Sequence, residues 1–231
     1  VKPGLLLISG GIDSVTLAYV LKRAGALAEM MFIDYEQASA GHQRKIVAGH
    51  ADALGVRFYH EHVRWPYYAR GKGFIFEAGN YPAPMADPYA PVDMNEEEHA
   101  TYLEEQWDFI QGRNVAFLNY ACAYAIHLGL DTVYTAFQFD EPEWAANPAG
   151  FKHCDTSAEF VAAFNRLGEI GGFSKPVQVV CPFLALRATK RQIVRMAKNM
   201  GVDLEQTYSC EFFPACGDCH QCLIRREVLA G

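Results

Sequence analysis

Two sets of residues in this sequence have types and spacings that could do chemistry. The first is Ser9-Gly10-Gly11-Ile12-Asp13-Ser14, which follows the apolar run Leu5-Leu6-Leu7-Ile8 and leads into an apolar-periodic stretch. A glycine-rich turn between a buried strand and a helix lets successive backbone N–H groups converge on an anion, and the positive helix end reinforces them. Gly10 and Gly11 let the main chain close around phosphate oxygens, while Ser9 and Ser14 add hydroxyls and Asp13 a carboxylate. The loop lacks the Gly-Lys-Ser/Thr ending of a Walker A loop, so it has no lysine of its own for a γ-phosphate. A plain turn with Asp13 as a helix cap is the alternative. The second set is Cys210, Cys216, Cys219 and Cys222, spaced C-x5-C-x2-C-x2-C with Gly217 inside. Four thiolates suit one tetrahedral zinc ion in a closed site that fastens the chain, with an iron–sulfur cluster as the functional rival. His220 lies within the cluster as a further candidate, but the all-thiolate set is simpler.

A frame must hold these residues. Strands are predicted over 5–8, 28–33, 57–63, 132–137 and 177–181, with helices after 12, over 41–54, 114–128, 158–167 and 189–200. Gly25, Gly55, Gly129 and Gly201 stand where helices should end. Strand, helix, strand in this order predicts an α/β fold with a doubly wound parallel sheet. Parallel strands place ligands at their carboxyl ends, so the loops after Ile8, Ile33 and Phe137 are expected to share one crevice. The stretch 64–108 breaks the pattern with four prolines, many aromatics and Glu96-Glu97-Glu98. It reads as a lid, a binding loop or a subunit contact, or as a surface excursion packed on its own domain.

At 231 residues and 51% hydrophobic content the chain suits one domain, 1–231, with the 64–108 insertion and a metal segment over 210–225. Twenty basic against 27 acidic side chains give a net charge of −7, the wrong sign for gripping a nucleic-acid backbone. The sequence has no run of eighteen apolar residues and no secretory leader pattern, which predicts a cytoplasmic protein with no membrane partner. Seven cysteines is an odd number, and four of them crowd into thirteen residues, which is metal spacing in a reducing compartment. Cys122 and Cys181 lie in apolar stretches and read as core residues; Cys154, beside His153 and Asp155, reads as a loop residue or a nucleophile.

The turn resembles the pyrophosphate loop of the PP-loop ATP pyrophosphatases, written Ser-Gly-Gly-x-Asp-Ser. That likeness implies a Rossmann-like sheet of the adenine nucleotide alpha-hydrolase type. It also implies cleavage of ATP between its α and β phosphates, an AMP ester on a substrate oxygen, and displacement of AMP by a nucleophile. Asp13 would then accompany the Mg2+ on pyrophosphate.

Across nearly its full length the chain is similar to the 7-cyano-7-deazaguanine synthase (QueC) family. Asp34-Tyr35-Glu36-Gln37 is similar to the family's Asp-Tyr-Gly-Gln, and Gly112-Arg113-Asn114 matches its Gly-Arg-Asn. Asp155-Thr156-Ser157-Ala158-Glu159-Phe160 fits Asp-x-x-x-Glu-Phe, Pro182 through Lys190 resembles its Pro-Leu…Lys segment, and Cys210 through Arg225 fits its zinc segment. The resemblance implies an ATP-dependent ligase that adenylates 7-carboxy-7-deazaguanine, takes ammonia to form an amide and dehydrates it to the nitrile with a second ATP. Nucleotide binding would fall to Ile8, Ser9, Gly10, Gly11, Ile12, Asp13, Ser14, Asp34, Tyr35, Gln37, Gly112 and Arg113. Of these, Ser9, Asp13, Ser14 and Arg113 would serve catalysis. Asn114, His153, Asp155 and Glu159 would meet the substrate, the last two otherwise being ordinary residues of a helix start. A structural Zn2+ and a homodimer are implied as well.

Two sites depart from the family pattern. Lys152-His153-Cys154-Asp155 replaces the usual Gly-Tyr-Pro-Asp, and Glu36 replaces a glycine. A ligase joining a deazapurine or another carboxylate to a different amine, even a protein terminus, is therefore a rival reading. A tRNA-modifying PP-loop enzyme and a non-catalytic nucleotide sensor are further ones.

Overall fold

The computed structural model describes residues 2–64, 112–139, 154–217 and 219–230. Five strands build one sheet: β1 (Gly4–Leu7), β2 (Leu27–Asp34), β3 (Arg57–His62), β4 (Thr132–Tyr134) and β5 (Gln178–Val180). Their order is β3-β2-β1-β4-β5 and every pairing is parallel. The main helices are α1 (Ile12–Arg23), α2 (Ala40–Leu54), α3 (Arg113–His127), α4 (Ala158–Leu167), α5 (Pro182–Ala185), α6 (Lys190–Asn199) and α7 (His220–Ala230).

Side-chain alternation along the strands sends apolar groups to both faces, so the sheet is buried on both sides as a parallel sheet requires. Leu6, Met30 and Phe32 join Val15, Leu17, Val47 and Ile193 on the face covered by α1, α2 and α6. Leu5, Met31 and Ile33 join Leu118, Ala121, Val161 and Val179 on the face covered by α3 and α4. The chain runs outward from β1 through β2 to β3, then returns to pair β4 on the other side of β1. That reversal opens a crevice between β1 and β4 at their carboxyl ends.

Most predicted elements stand where periodicity put them, and Gly25, Gly55, Gly129 and Gly201 carry positive φ at helix ends. The strand predicted over 132–137 stops at Tyr134, because Thr135 still bonds to Val180 but Phe139 N turns away to Ala188 O. Five elements were not foreseen: the short α5 opened by Pro182, a π turn at Gly168–Gly172, 3-10 turns at Cys154–Thr156 and Leu204–Gln206, and α7, which carries the last of the four clustered cysteines. Apart from Arg64, the 64–108 insertion lies outside the described residues, as does His153. No helix among the described residues is long and apolar enough to cross a membrane.

Cys122 and Cys181 are buried in the α3–α4 face, and burial pushes both thiols up to about 12. A thiol that stays protonated and covered does not react. Brief iodoacetamide treatment of the folded protein at neutral pH is expected to leave both unmodified, read by peptide mass spectrometry; labelling of either would show that this face opens.

Candidate active site

The glycine turn sits at the carboxyl end of β1. Gly10 has φ +83°, and a Cβ there would lie 3.3 Å from the Gln43 carbonyl, so both conformation and space call for glycine. A ring of hydrogen bonds closes the turn. Gly11 N donates to Ser9 Oγ (3.4 Å), Ser9 Oγ lies 3.1 Å from Ser14 Oγ, and Ser14 Oγ donates to Gly11 O (3.2 Å). Gly11 is the N-cap of α1 and no side chain caps the helix, so Asp13 is not a cap. It stands in the first turn instead, where the helix end favours an anion.

What engages Asp13 comes from the other end of the chain. Lys190 Nζ lies 2.5 Å from Asp13 Oδ2, and the Lys190 side chain is only 8% exposed. The lysine that the turn itself lacks is thus supplied by α6. The second oxygen, Oδ1, is buried with no hydrogen-bond partner among the described residues. A buried, unpartnered carboxylate oxygen is costly and is the kind of hard donor that a magnesium ion takes. The residues therefore fit the ion that the loop resemblance implies.

A cavity of about 360 Å³ opens beside the turn. Ile8, Ile33 and Phe137 all line it, so the three predicted loops do share one crevice. Ser9, Gly11, Ile12, Asp13, Ser14, Tyr35, Gln37, Arg113 and Asn114 line it too. Gly10, Asp34, Gly112, Asp155 and Glu159 do not. Asp34 is turned to its own loop, accepting from Glu36 N and facing His60. Gln37 is tied down by Tyr35 N and Gln43, so it holds the loop shape as well as facing the cavity. Asp155 reaches the site indirectly, through its carbonyl to Asn114 Nδ2 and through its charge on Arg113. Glu159 is exposed on α4, where Ser157 provides the cap. Glu159 stands in the first turn of α4, Asp155 lies in the short 3-10 turn Cys154–Thr156 before it, and neither residue lines the cavity.

Arg113 is the first residue of α3, with Tyr35 beneath it at 5.6 Å from the ring centroid. Its Nη1 lies 3.4 Å from Tyr35 Oη and 3.9 Å from Glu211 Oε1. Tyr35 in turn donates to Glu211 Oε2 at 2.7 Å. Burial works against the guanidinium charge, but Tyr35, Glu211 and Asp155 outweigh it and raise Arg113 above its ordinary value. Burial, then Glu211, hold the Tyr35 phenol well above its usual range, so it remains a donor. Glu211, Ser209 and Lys190 line the cavity and were missed as site residues, although Lys190 belongs to a segment that carried the resemblance. One local signal existed: Lys190 and Arg113 each open a helix, where the dipole opposes a cation.

The four cysteines come together, their sulfurs all within 4.8 Å of one another. The separations Cys210–Cys216, Cys210–Cys219 and Cys216–Cys222 are 3.6, 3.9 and 4.0 Å. Four sulfurs at about 2.3 Å from one tetrahedral ion stand about 3.8 Å apart, so the set fits a single ion. A cluster with one thiolate per iron would spread them further.

The family model for Queuosine biosynthesis protein QueC matches residues 4–231. The chain belongs to the QueC family. Among QueC relatives, 7-cyano-7-deazaguanine synthase of Methanothrix thermoacetophila is 28% identical, covering 96% of this chain and 91% of the relative. Proteins of the same name from Methanothermobacter thermautotrophicus and Aquifex aeolicus are each 29% identical, covering 97% and 98% of this chain and 94% and 96% of theirs.

The family assignment gives the departure at position 36 a physical meaning. Glu36 has φ +72°, a left-handed conformation that glycine adopts freely and that strains other residues by about 1 kcal/mol. The chain holds here, with a residue ill suited to it, a conformation that glycine would adopt freely, and Glu36 Oε1 faces His62 Nε2 at 3.8 Å.

Proposed function

We propose that this chain is an ATP-consuming, AMP-forming ligase that converts 7-carboxy-7-deazaguanine to 7-cyano-7-deazaguanine. A carboxylate oxygen is a poor leaving group, and AMP makes it a good one. In the first half, a carboxylate oxygen attacks the α-phosphorus, the α–β bond breaks, and pyrophosphate leaves. Ammonia then displaces AMP to give the amide. In the second half, the amide oxygen attacks a second ATP in the same way, and loss of AMP and of both N–H protons gives the nitrile. One cavity and one turn serve both halves, because each places an oxygen nucleophile opposite the same leaving group.

The observation that carries this reading is the convergence of Asp13, Lys190 and Arg113 on the cavity beside the glycine turn. Lys190 and the helix end would hold the triphosphate, and Asp13 Oδ1 would hold Mg2+, which when bound neutralises the departing pyrophosphate. Arg113 would meet charge that grows on the α-phosphoryl oxygens. Zn2+ is the ion we assign to the four thiols, in a closed site with no open position for substrate. We expect a cytoplasmic homodimer without a nucleic-acid partner.

The departures at Glu36 and at 152–154 favour a second reading, in which the same adenylate meets a different amine, a small molecule or a protein terminus. Both readings meet in one assay. The protein is incubated with 7-carboxy-7-deazaguanine, ammonium, magnesium and ATP, and products are identified by mass. Acid-dependent release of AMP and pyrophosphate with amide and nitrile is the expected result. AMP release without nitrile, with a mass adduct on an added amine or protein, would favour the second reading, and no acid-dependent AMP would overturn the first.

A further inference from the structure

Arg113 occupies a position that structure alone disfavours. It is the first residue of α3, where the helix dipole opposes a cation, and only a quarter of its side chain is exposed. Tyr35, Glu211 and Asp155, all outside α3, compensate, and the first two act on the same nitrogen. Tyr35 Oη and Glu211 Oε1 meet Nη1, at 3.4 and 3.9 Å, while the Tyr35 ring lies beneath the guanidinium and packs on Phe117 one turn along α3. Among the described residues no further hydrogen bond engages the rest of the guanidinium, which lines the cavity.

Glu211 is itself held from both sides. Its carbonyl accepts from Ser39 N at 3.0 Å, its neighbour Cys210 is one of the four clustered thiols, and Phe212 N donates to Cys210 Sγ at 3.4 Å. The carboxylate is occupied by Tyr35 at 2.7 Å. It faces the cavity with its hydrogen bonding already committed, which suits it to hold another group rather than to react.

We infer that Glu211 is a positioning residue: acting through Tyr35 and directly, it fixes the guanidinium of Arg113 at the place where phosphoryl charge develops. The inference rests on the ATP-cleaving reading and names the device that orients one of its cations. Because Glu211 is carried on the cysteine segment, that segment sets active-site geometry as well as fastening the chain.

The test uses the full-length protein with Glu211→Gln, Glu211→Asp and Tyr35→Phe, each first checked for an unchanged melting profile. A misplacement near 1 Å costs up to about 100-fold, so Glu211→Gln is expected to lower kcat for acid-dependent AMP formation by about 10- to 100-fold. KM for ATP should stay within about threefold, because Arg113 acts on charge absent from the ground state. Glu211→Asp should recover part of the loss. Adding Tyr35→Phe to Glu211→Gln should cost little more, since both act through one guanidinium. A kcat within twofold of wild type, or a loss confined to KM, would overturn the inference. Crystal structures of wild type and Glu211→Gln add a readout independent of turnover. The guanidinium should leave its place over the Tyr35 ring in the variant, and an unmoved guanidinium also overturns the proposal. Wild type that releases no AMP sinks the functional reading instead, and the two crystal structures still decide whether Glu211 positions Arg113.

Discussion

Asp13→Asn is expected to lower acid-dependent AMP release by roughly 10³-fold, equivalent to about 4 kcal/mol of transition-state stabilisation. The substitution keeps the shape of the side chain and removes its charge. Two consequences follow from the geometry. Lys190, 8% exposed and paired to Oδ2, loses its counter-ion, and Oδ1, buried without a partner among the described residues, ceases to be an anionic donor for magnesium. The first predicts lower stability, because a buried cation left alone is destabilising; the one-fifth exposure of Asp13 keeps this below the full cost of a fully buried pair, to about 2 kcal/mol. The second predicts that ATP affinity, which should rise with magnesium in wild type, becomes nearly indifferent to it. AMP and pyrophosphate are quantified by chromatography and ATP binding by calorimetry with and without magnesium. Turnover within tenfold of wild type would reduce Asp13 to a favourable first-turn acid on α1.

How much of this was legible in the sequence depends on how far apart the interacting residues stand. The glycine turn after β1, the helix ends at Gly25, Gly129 and Gly201, and the crevice shared by Ile8, Ile33 and Phe137 follow from local backbone rules and parallel topology. The Asp13–Lys190 pair does not, because its partners are 177 residues apart and meet only once α6 packs on α1. Tyr35 and Glu211 are 176 apart, and nothing near Glu211 in sequence distinguishes it from a polar neighbour of a metal-binding cysteine. The early end of β4 was hidden too, since Ala136 and Phe137 are as apolar as a strand needs and only the bond from Phe139 to Ala188 takes the chain away. Position 36 worked in the opposite direction. The resemblance marks Glu36 as a departure, and its positive φ shows a backbone that glycine would hold without strain.

On the proposed reading, stripping an ion from the four thiols should reach the cavity beside the glycine turn. Between 207 and 222 the chain touches the glycine turn and the loop after β2 directly: Tyr208 N donates to Gly10 O at 2.8 Å, Ser39 N donates to Glu211 O, and Ser209 Oγ is buried near Gly11. The sheet has its own core on both faces, so a chelator or Cys210→Ser is expected to leave it folded and to loosen this segment. ATP affinity should then fall by about tenfold or more, and amide exchange should quicken in 207–222 and in the turn at 9–14 while β1 and β2 stay protected. Acid should act in the same direction. In the metal-free protein burial is the leading cause that pushes the Cys210 thiol up to about 11 and Cys219 higher still, so both are protonated at neutral pH and must release protons to bind an ion. Metal affinity therefore rises with pH below those values, by about tenfold per unit for each proton released, and falls on acidification. Titrating the apoprotein with zinc between pH 6 and 8, with a colorimetric chelator as competitor, measures that slope. If chelation leaves ATP affinity and exchange at 9–14 unchanged, the thiol cluster is a remote fastener and the contacts from Tyr208 and Glu211 persist without it.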